Sequence, residues 1–122
     1  MKHLLIILTI AFFLNTSSFA QKSITFDEAS KHIGDTVRIC EKIISSNSVM
    51  ATEGKPTILT LGNAGTDTPI NIIIKAESRK RFDYKPEKDL LNRNVCITGK
   101  LELVDGKMMI VVNKQDDINI IK

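Results

Sequence analysis

The sequence predicts a small, mainly β domain that closes into a five-stranded barrel, with a short helix before it and a helical connection inside it. Three observations predict this class. Apolar and polar residues alternate in five separate runs, which is the pattern of strands that bury one face. The two cysteines of the chain, Cys40 and Cys96, lie in matched positions in two of those runs. Asp105-Gly106 separates the last two runs and is typical of a tight hairpin turn.

Residues 1–20 have the pattern of a secretory signal peptide. Two basic residues precede an apolar run from Leu4 to Leu14, and small and polar residues follow up to Ala20. The apolar run is too short to cross a bilayer of ~30 Å as a helix. A retained amphipathic anchor is the alternative. The sequence therefore predicts export to the periplasm or the medium, and one mature domain over residues 21–122.

The charge of the predicted mature domain is mild. Removing Lys2 leaves 16 basic residues against 14 acidic ones, a net charge of +2. A balance this small does not by itself indicate a nucleic-acid partner.

A short helix is expected to open the mature domain. Thr25 and Glu28 fit a capping box, and Gly34 supplies a left-handed stop after His32. Its predicted buried stripe comprises Phe26, Ala29 and Ile33. His32, in the last turn, is expected to favour the helix dipole rather than to take part in catalysis.

The five strands are predicted over 36–44, 57–61, 70–75, 94–104 and 108–113. Residues 45–56 and 62–69 are predicted loops, and residues 76–91 form the helical connection, with Pro86 in the first turn of its second helix. In the last strand Met108 shares the parity of Ile110 and is expected in the core, whereas Met109 faces outward. Residues 118–121 would cover the barrel end or add an edge strand.

Three strands, a helical connection and a closing hairpin are the element order of the OB-fold, a partly open five-stranded barrel. In that fold the first and fourth strands are neighbours. Cys40 and Cys96 each lie one residue out of phase with the apolar residues, so both should point away from the core. The sequence therefore predicts a Cys40–Cys96 disulfide, which fits an oxidising compartment. A C-x-x-C redox pair and a four-ligand zinc site, the alternatives, lack their motifs.

Several stretches carry a family resemblance: His32-Ile33-Gly34-x-x-Val37-x-Ile39-Cys40-x-Lys42-Ile43, Leu59-Thr60-Leu61-Gly62, Asn94-Val95-Cys96-Ile97-Thr98-Gly99-Lys100-Leu101-Glu102-Leu103, and Gly106-Lys107 with Ile110-Val111-Val112. Over these stretches the chain resembles a family of small secreted bacterial OB-fold domains of nucleic-acid-binding type, which accompany secreted nucleases. The resemblance implies the OB-fold and a nucleic-acid-binding role. The chain departs from the family pattern at Glu41, where the family usually has glycine.

The usual ligand face of an OB-fold is formed by its second and third strands with the first-to-second and fourth-to-fifth strand loops. The polar candidates there are Lys55, Thr60, Asn71, Lys75 and Lys107. They predict weak, charge-driven binding of single-stranded nucleic acid; the alternative is that the lysines only keep the surface soluble. Aromatic platforms for bases are scarce, because Phe26 and Phe82 are expected inside the fold and only Tyr84 outside.

A rival hypothesis is a protein-interaction or small-ligand module. Ile73, Val104 and Met109 are expected to form an exposed apolar patch that another exported protein would cover. The basic run Arg79-Lys80-Arg81 is a candidate for contact with phosphates or acidic lipids; the alternative is that it is only the solvated face of a short helix. We find no spacing typical of metal ligands or of a nucleophile with its base. The sequence therefore predicts a binding protein without enzymatic activity, cofactor or metal.

Overall fold

The computed structural model describes residues 22–47, 54–63 and 68–121. The predicted signal peptide, residues 1–20, lies outside the described residues, as do residues 48–53 and 64–67 of the two predicted loops. Within the described ranges, none of the helices has the length and apolar character needed to cross a bilayer.

Seven strands and four short helical segments make up the described chain. In order they are β1 (Lys22–Ile24), a 3₁₀ helix (Phe26–His32), β2 (Thr36–Asn47), β3 (Thr57–Gly62), β4 (Ile70–Ile74), α1 (Ala76–Arg79), α2 (Pro86–Asp89), β5 (Asn94–Val104), β6 (Lys107–Val111), a second 3₁₀ helix (Gln115–Asp117) and β7 (Ile118–Ile120).

Strands β2 to β6 are the five predicted strands, and they close a barrel in the order β2-β3-β4-β6-β5, with β5 pairing back to β2. The β4–β6 pair is parallel and the other four pairs are antiparallel. This is the topology of the OB-fold, so the predicted fold class is confirmed. Two additional strands lie outside the barrel: β1 pairs in parallel with β2, and β7 pairs with the first half of β5.

The core follows the predicted alternation. Met108 and Ile110 of β6 are buried, as is Val112 just after it, whereas Met109 is only half-buried and faces outward. The helical connection closes one end of the barrel with the buried side chains of Phe82 and Leu90. Apolar burial of this kind supplies most of the stability of a small domain.

Tyr84 differs from its prediction. It is half-buried and packs against the core, with its ring edge-to-face on Phe82 at a centroid distance of 5.5 Å. Its hydroxyl is buried and has no hydrogen-bond partner among the described residues. Burial raises the pKa of Tyr84, and the nearby charge of Asp89 adds to the rise. Because Tyr84 lies beside Phe82 at the closed end of the barrel, its ring gains more from packing than from exposure to solvent.

The predicted disulfide is confirmed. Cys40 lies directly opposite Cys96 in the β2–β5 register, with the two Cα atoms 3.9 Å apart, and the two are bonded. Neither belongs to the core cluster: Cys40 is exposed, and Cys96 is buried beside Asn119 of β7. Both cysteines therefore point away from the barrel interior, as the parity of the sequence predicted.

The bend of β2 lies at a bulge. Residues 36–42 pair with β5 and residues 42–47 pair with β3, and the register slips between Ile43 and Ser45. The additional residue is Ile44, so the strand turns without a glycine at Glu41. Strand β2 also continues to Asn47, beyond the predicted end at residue 44. Its polar last residues are strand because β3 completes their hydrogen-bond ladder.

The opening helix is a 3₁₀ helix and it begins at the predicted cap. The Thr25 N–H donates to Glu28 Oε1 at 3.1 Å, and hydrogen bonds from Thr25 hold the pKa of Glu28 below its usual value. Ala29 is buried and Phe26 packs partly against the core. Ile33, expected in the same stripe, is 39% exposed, which corrects the prediction. A 3₁₀ helix repeats every three residues, so its buried face passes through 26 and 29 but not 33.

Gly99 of β5 lies against Ile110 of β6. A Cβ atom added there would lie 2.5 Å from Cγ2 of the buried Ile110. Gly99 therefore permits β5 to leave β2 and join β6 within three residues, since Val37 pairs with Gly99 and Leu101 pairs with Ile110.

Replacing both cysteines with alanine should lower the free energy of unfolding by up to about 4 kcal/mol, because the bond closes a loop with a sequence separation of 56 in the unfolded chain. Urea unfolding of the variant and of wild-type protein measures the difference. Reduced wild-type protein should unfold close to the variant. Thiol titration of denatured, non-reduced protein should find no free thiol; two free thiols would contradict the bond.

Gly99→Ala should destabilise the protein by roughly 1–3 kcal/mol, because the new methyl group overpacks the contact with Ile110. A double-mutant cycle with Ile110→Ala is the control. The glycine substitution should cost clearly less once the Ile110 side chain has been removed. Equal costs in both backgrounds would show that this contact is not the reason for the glycine.

Candidate functional site

A groove of about 540 Å³ opens at the end of the barrel where β3 ends and β6 begins. Its walls come from the opening 3₁₀ helix, from β3 and β4, and from the β5–β6 hairpin. Its polar lining residues are Ser30, Thr60, Thr68, Asn71 and Lys107. Its apolar lining residues are Ile33, Pro69, Leu103 and Met108.

Strand register brings Thr60 and Asn71 side by side. Thr60 of β3 lies opposite Asn71 of β4, and Asn71 in turn lies opposite Met109 of β6. The residues that precede and follow Thr60 and Asn71 are buried, so both polar side chains face outward from the barrel. Their exposure is intermediate, which leaves a hydroxyl and an amide available at the groove.

The β5–β6 hairpin places Lys107 at the rim. Asp105 and Gly106 both have positive φ values, +53° and +80°, as a two-residue type I′ turn requires. Lys107 pairs with Val104 immediately after this turn and is exposed. Because Asp105 and Glu102 are also exposed on the same hairpin, Lys107 is a cation with acidic neighbours.

The opposite wall is held against β5 by two backbone hydrogen bonds. The Gly34 N–H donates to the Leu101 carbonyl at 2.7 Å, and the Leu101 N–H donates to the Asp35 carbonyl at 3.0 Å. They bring Ile33 to the groove that Leu103 also lines; these side chains are 39% and 55% exposed. Sequence reasoning missed both residues. Leu103 shares the parity of the buried Leu101 and has no core to enter, because it lies beyond the end of the barrel.

Three of the five predicted ligand residues, Thr60, Asn71 and Lys107, meet in the groove. Lys55 and Lys75 do not. In the β3–β4 register Thr57 lies opposite Ile74, so both lysines lie at the other end of the barrel. Because Ile70 lies opposite Met108, the five residues of β4 separate Lys75 from the level of Lys107, a distance of about 20 Å along the strand. The three lysines therefore do not converge on one surface.

The predicted apolar patch is interrupted. Ile73, Met109 and Val104 all lie on the outer face, but in different cross-strand rows. Asn71 and Glu102 flank Met109 on either side, and Lys107 lies opposite Val104. The continuous apolar row is instead Ile58–Ile73–Val111, in which each residue is of intermediate exposure.

The basic run in the helical connection is partly engaged. Arg79 donates from Nε to Glu87 Oε1 at 2.9 Å and from a terminal nitrogen to Oε2 at 2.7 Å, which joins α1 to α2. The pairing holds the pKa of Glu87 below its usual value and raises that of Arg79. Lys80 and Arg81 are exposed. Arg79 is therefore a structural residue of this connection, and only two members of the run face solvent freely.

The other titratable candidates belong to local structure. His32 Nδ1 lies 3.1 Å from Asp35 Oδ2, an interaction across the end of the opening helix. Over the described ranges, no group of three or more His, Cys, Asp or Glu side chains is arranged to hold a metal ion. Phe26, Phe82 and Tyr84 pack against the core and none of them lines the groove.

No protein-family model matches the chain, and no curated protein matches it in sequence. Solved structures do match. Asparaginyl-tRNA synthetase from Pyrococcus horikoshii aligns with a TM-score of 0.54 and 13% identity, over 81% of this chain and 23% of that one. The hypothetical protein ygiW from E. coli aligns with a TM-score of 0.50 and 15% identity, over 84% of this chain and 98% of that one. At these identities the likeness shows the OB-fold. The chain spans less than a quarter of the synthetase.

Glu87→Gln should destabilise the protein by about 1 kcal/mol at neutral pH, because it removes one partner of a paired, partly buried carboxylate. The folded pKa of Glu87 is lowered from 4.5, so its contribution is present above that value and is lost as pH falls through the folded pKa. The difference from wild type in urea unfolding should therefore shrink at low pH. Glu77→Gln, at an exposed position of α1, is the matched control and should change stability little. An undiminished difference at low pH would show that the ion pair is not its source.

Proposed function

We propose that this chain is an exported, non-enzymatic OB-fold binding module that holds a small ligand, or a short segment of a larger one, in the groove at the hairpin end of the barrel. The observation that carries the proposal is the meeting of Thr60, Asn71 and Lys107 with exposed Ile33 and Leu103 around one space of about 540 Å³. That volume lies within the ordinary range of small-ligand sites, and this face is the one that OB-folds commonly use.

The lining favours a ligand of mixed character. Ile33 and Leu103 offer apolar contact, while hydroxyl and amide groups of Ser30, Thr60 and Asn71 both donate and accept hydrogen bonds. Lys107 is the cation among the lining residues, and acidic side chains lie near it on the hairpin. A ligand with an apolar body, neutral polar groups and a single negative charge therefore suits the groove better than a polyanion.

Weak binding of single-stranded nucleic acid is the second candidate. It is favoured by the three predicted ligand residues on this face, and one similar structure belongs to a protein named for tRNA. Against it, the lysines lie at opposite ends of the barrel, and the described aromatic rings pack inward rather than offering platforms for bases. Binding of this kind would depend on charge alone and would fall steeply with salt.

Export is part of the proposal. Residues 1–20 have the composition of a signal peptide, and the Cys40–Cys96 bond fits an oxidising compartment. In a periplasmic or secreted location the domain would meet its ligand outside the cytoplasm.

Binding of 8-anilinonaphthalene-1-sulfonate, which has an apolar body and one sulfonate, tests the groove in the mature protein, residues 21–122. Amide NMR shifts should map to the groove. Lys107→Gln should weaken binding by about tenfold, the effect of one charge-assisted contact. Lys75→Gln, with the same charge change at the other end, should leave the affinity unchanged. Shifts elsewhere, or equal losses in both variants, would overturn the groove as the site.

The same variants, tested with a labelled single-stranded oligothymidine, distinguish nucleic-acid binding from the small-ligand proposal. Anisotropy that rises at low salt, collapses at moderate salt and falls equally with Lys55→Gln, Lys75→Gln and Lys107→Gln would favour nucleic-acid binding. No rise even at low salt would exclude it and leave the small-ligand proposal as it stands.

A further inference from the structure

We propose that the end of the barrel opposite the groove docks on the surface of an anionic lipid bilayer. The juxtaposition that carries this proposal is a set of exposed cations on and beside the helical connection, next to two exposed aliphatic side chains, Ile44 and Leu91. We call this surface the cationic end; its cations are Lys55, Lys75, Lys80, Arg81, Lys85, Lys88 and Arg93.

Charge is unevenly divided along the chain. Residues 75–93 and Lys55 contain eight basic and four acidic residues, a net charge of +4. Gln115 hydrogen-bonds to Asp83 and so brings residues 113–117, with one lysine and two aspartates, to the same region, which lowers the total to +3. The rest of the predicted mature chain then has a net charge of −1. The positive charge of the domain is therefore concentrated at this end.

The tertiary structure gathers these residues at one end. Lys55 and Lys75 flank the paired residues Thr57 and Ile74. The Ser46 hydroxyl donates to the Glu87 carbonyl at 2.7 Å, which holds α2 beside the end of β2. Arg79 and Glu87 neutralise each other between the two helices. The cations of the cationic end are all exposed.

Ile44 and Leu91 lie on neighbouring segments at this end. The Asn92 N–H donates to the Ile43 carbonyl at 2.8 Å, and the Ile43 N–H donates to the Arg93 carbonyl at 3.0 Å. Ile43 and Leu90 are fully buried, whereas the residues that follow them, Ile44 and Leu91, are each 38% exposed. Two aliphatic side chains are thus turned out of the core beside the exposed cation Arg93, with Lys88 three residues before Leu91.

Exposed aliphatic residues among lysines and arginines match the interface of an anionic bilayer. The cations are attracted to its negative surface potential, and the aliphatic groups enter the boundary between headgroups and acyl chains. A protein surface that binds single-stranded nucleic acid usually combines its cations with aromatic platforms for the bases. Phe82 and Tyr84, the rings of this segment, are packed inward instead. The observations therefore favour lipid over nucleic acid here.

Docking of this kind leaves the groove free. The groove is formed around the β5–β6 hairpin, and the cationic end is formed around α1 and α2; Lys75 lies about 20 Å along the strands from Lys107 of the groove. The domain would then present its groove away from the membrane. This inference does not depend on the proposed ligand of the groove.

Cosedimentation of the mature protein with vesicles tests the proposal. Vesicles of phosphatidylglycerol and phosphatidylcholine should bind the protein at low salt, and vesicles of phosphatidylcholine alone should not. Lys88→Gln/Arg93→Gln should lower the affinity for the anionic vesicles by about tenfold or more. Lys31→Gln/Lys100→Gln, which removes the same charge from exposed positions outside the cationic end, is the control and should have a much smaller effect. Leu91→Ser leaves the net charge unchanged and should also weaken binding, because it removes one of the two exposed aliphatic side chains.

Three results would overturn the proposal. The first is no binding to anionic vesicles at low salt, and the second is an equal loss in both double variants, which would indicate a response to net charge alone. The third is binding of labelled oligothymidine, but not of vesicles, that depends on Lys88 and Arg93; the cationic end would then contact nucleic acid. All the substituted side chains are exposed, and circular dichroism verifies that each variant is folded.

Discussion

Within the barrel, strand β2 pairs with two different strands along its length, and the closed barrel depends on this double pairing. Its first half lies against β5 and its second half against β3, so it must bend between two walls of the barrel. The bulge at Ile44 supplies the bend, and the Cys40–Cys96 bond joins the first half to β5. Gly99 contributes on the other strand, where the absence of a side chain lets β6 approach. Together these features allow five short strands to enclose one core.

Closure of the barrel gives the domain two ends with different chemistry. At one end the hairpin and the opening 3₁₀ helix surround a groove of mixed apolar and neutral polar character. At the other end the helical connection fills the barrel with Phe82 and Leu90, and its lysines and Arg81 are exposed. The burial of a few apolar residues at that end thus determines where the cations lie.

The exposed cations and the groove lie at opposite ends of the barrel, and this separation affects which ligands each end can bind. An OB-fold that binds single-stranded nucleic acid combines cations and aromatic platforms on one face. Here the groove has Lys107 as its cation, and the described aromatic residues support the core. This arrangement is the basis for proposing a small ligand with a single negative charge in the groove, and attraction to an anionic surface at the opposite end.

The sequence by itself determined the fold class, the five barrel strands and the disulfide. Period-two alternation reports which face of a strand is buried, and the parity of Cys40 and Cys96 reports that two strands are neighbours. The match is close in β5, where the predicted and observed strands both run from residue 94 to residue 104. Of the candidate ligand residues, Thr60, Asn71 and Lys107 were predicted from the face that OB-folds usually use for ligands, and all three line the groove.

Only the tertiary structure decided the composition of the site. Whether Lys75 lies beside Lys107 depends on the β3–β4 and β4–β6 registers, and a pattern within one strand contains no information about its partner's register. Ile33 and Leu103 look like core residues in sequence, but one follows a 3₁₀ helix of period three and the other extends past the barrel. Burial depends on how much of the chain surrounds a residue, which is a property of the assembled barrel.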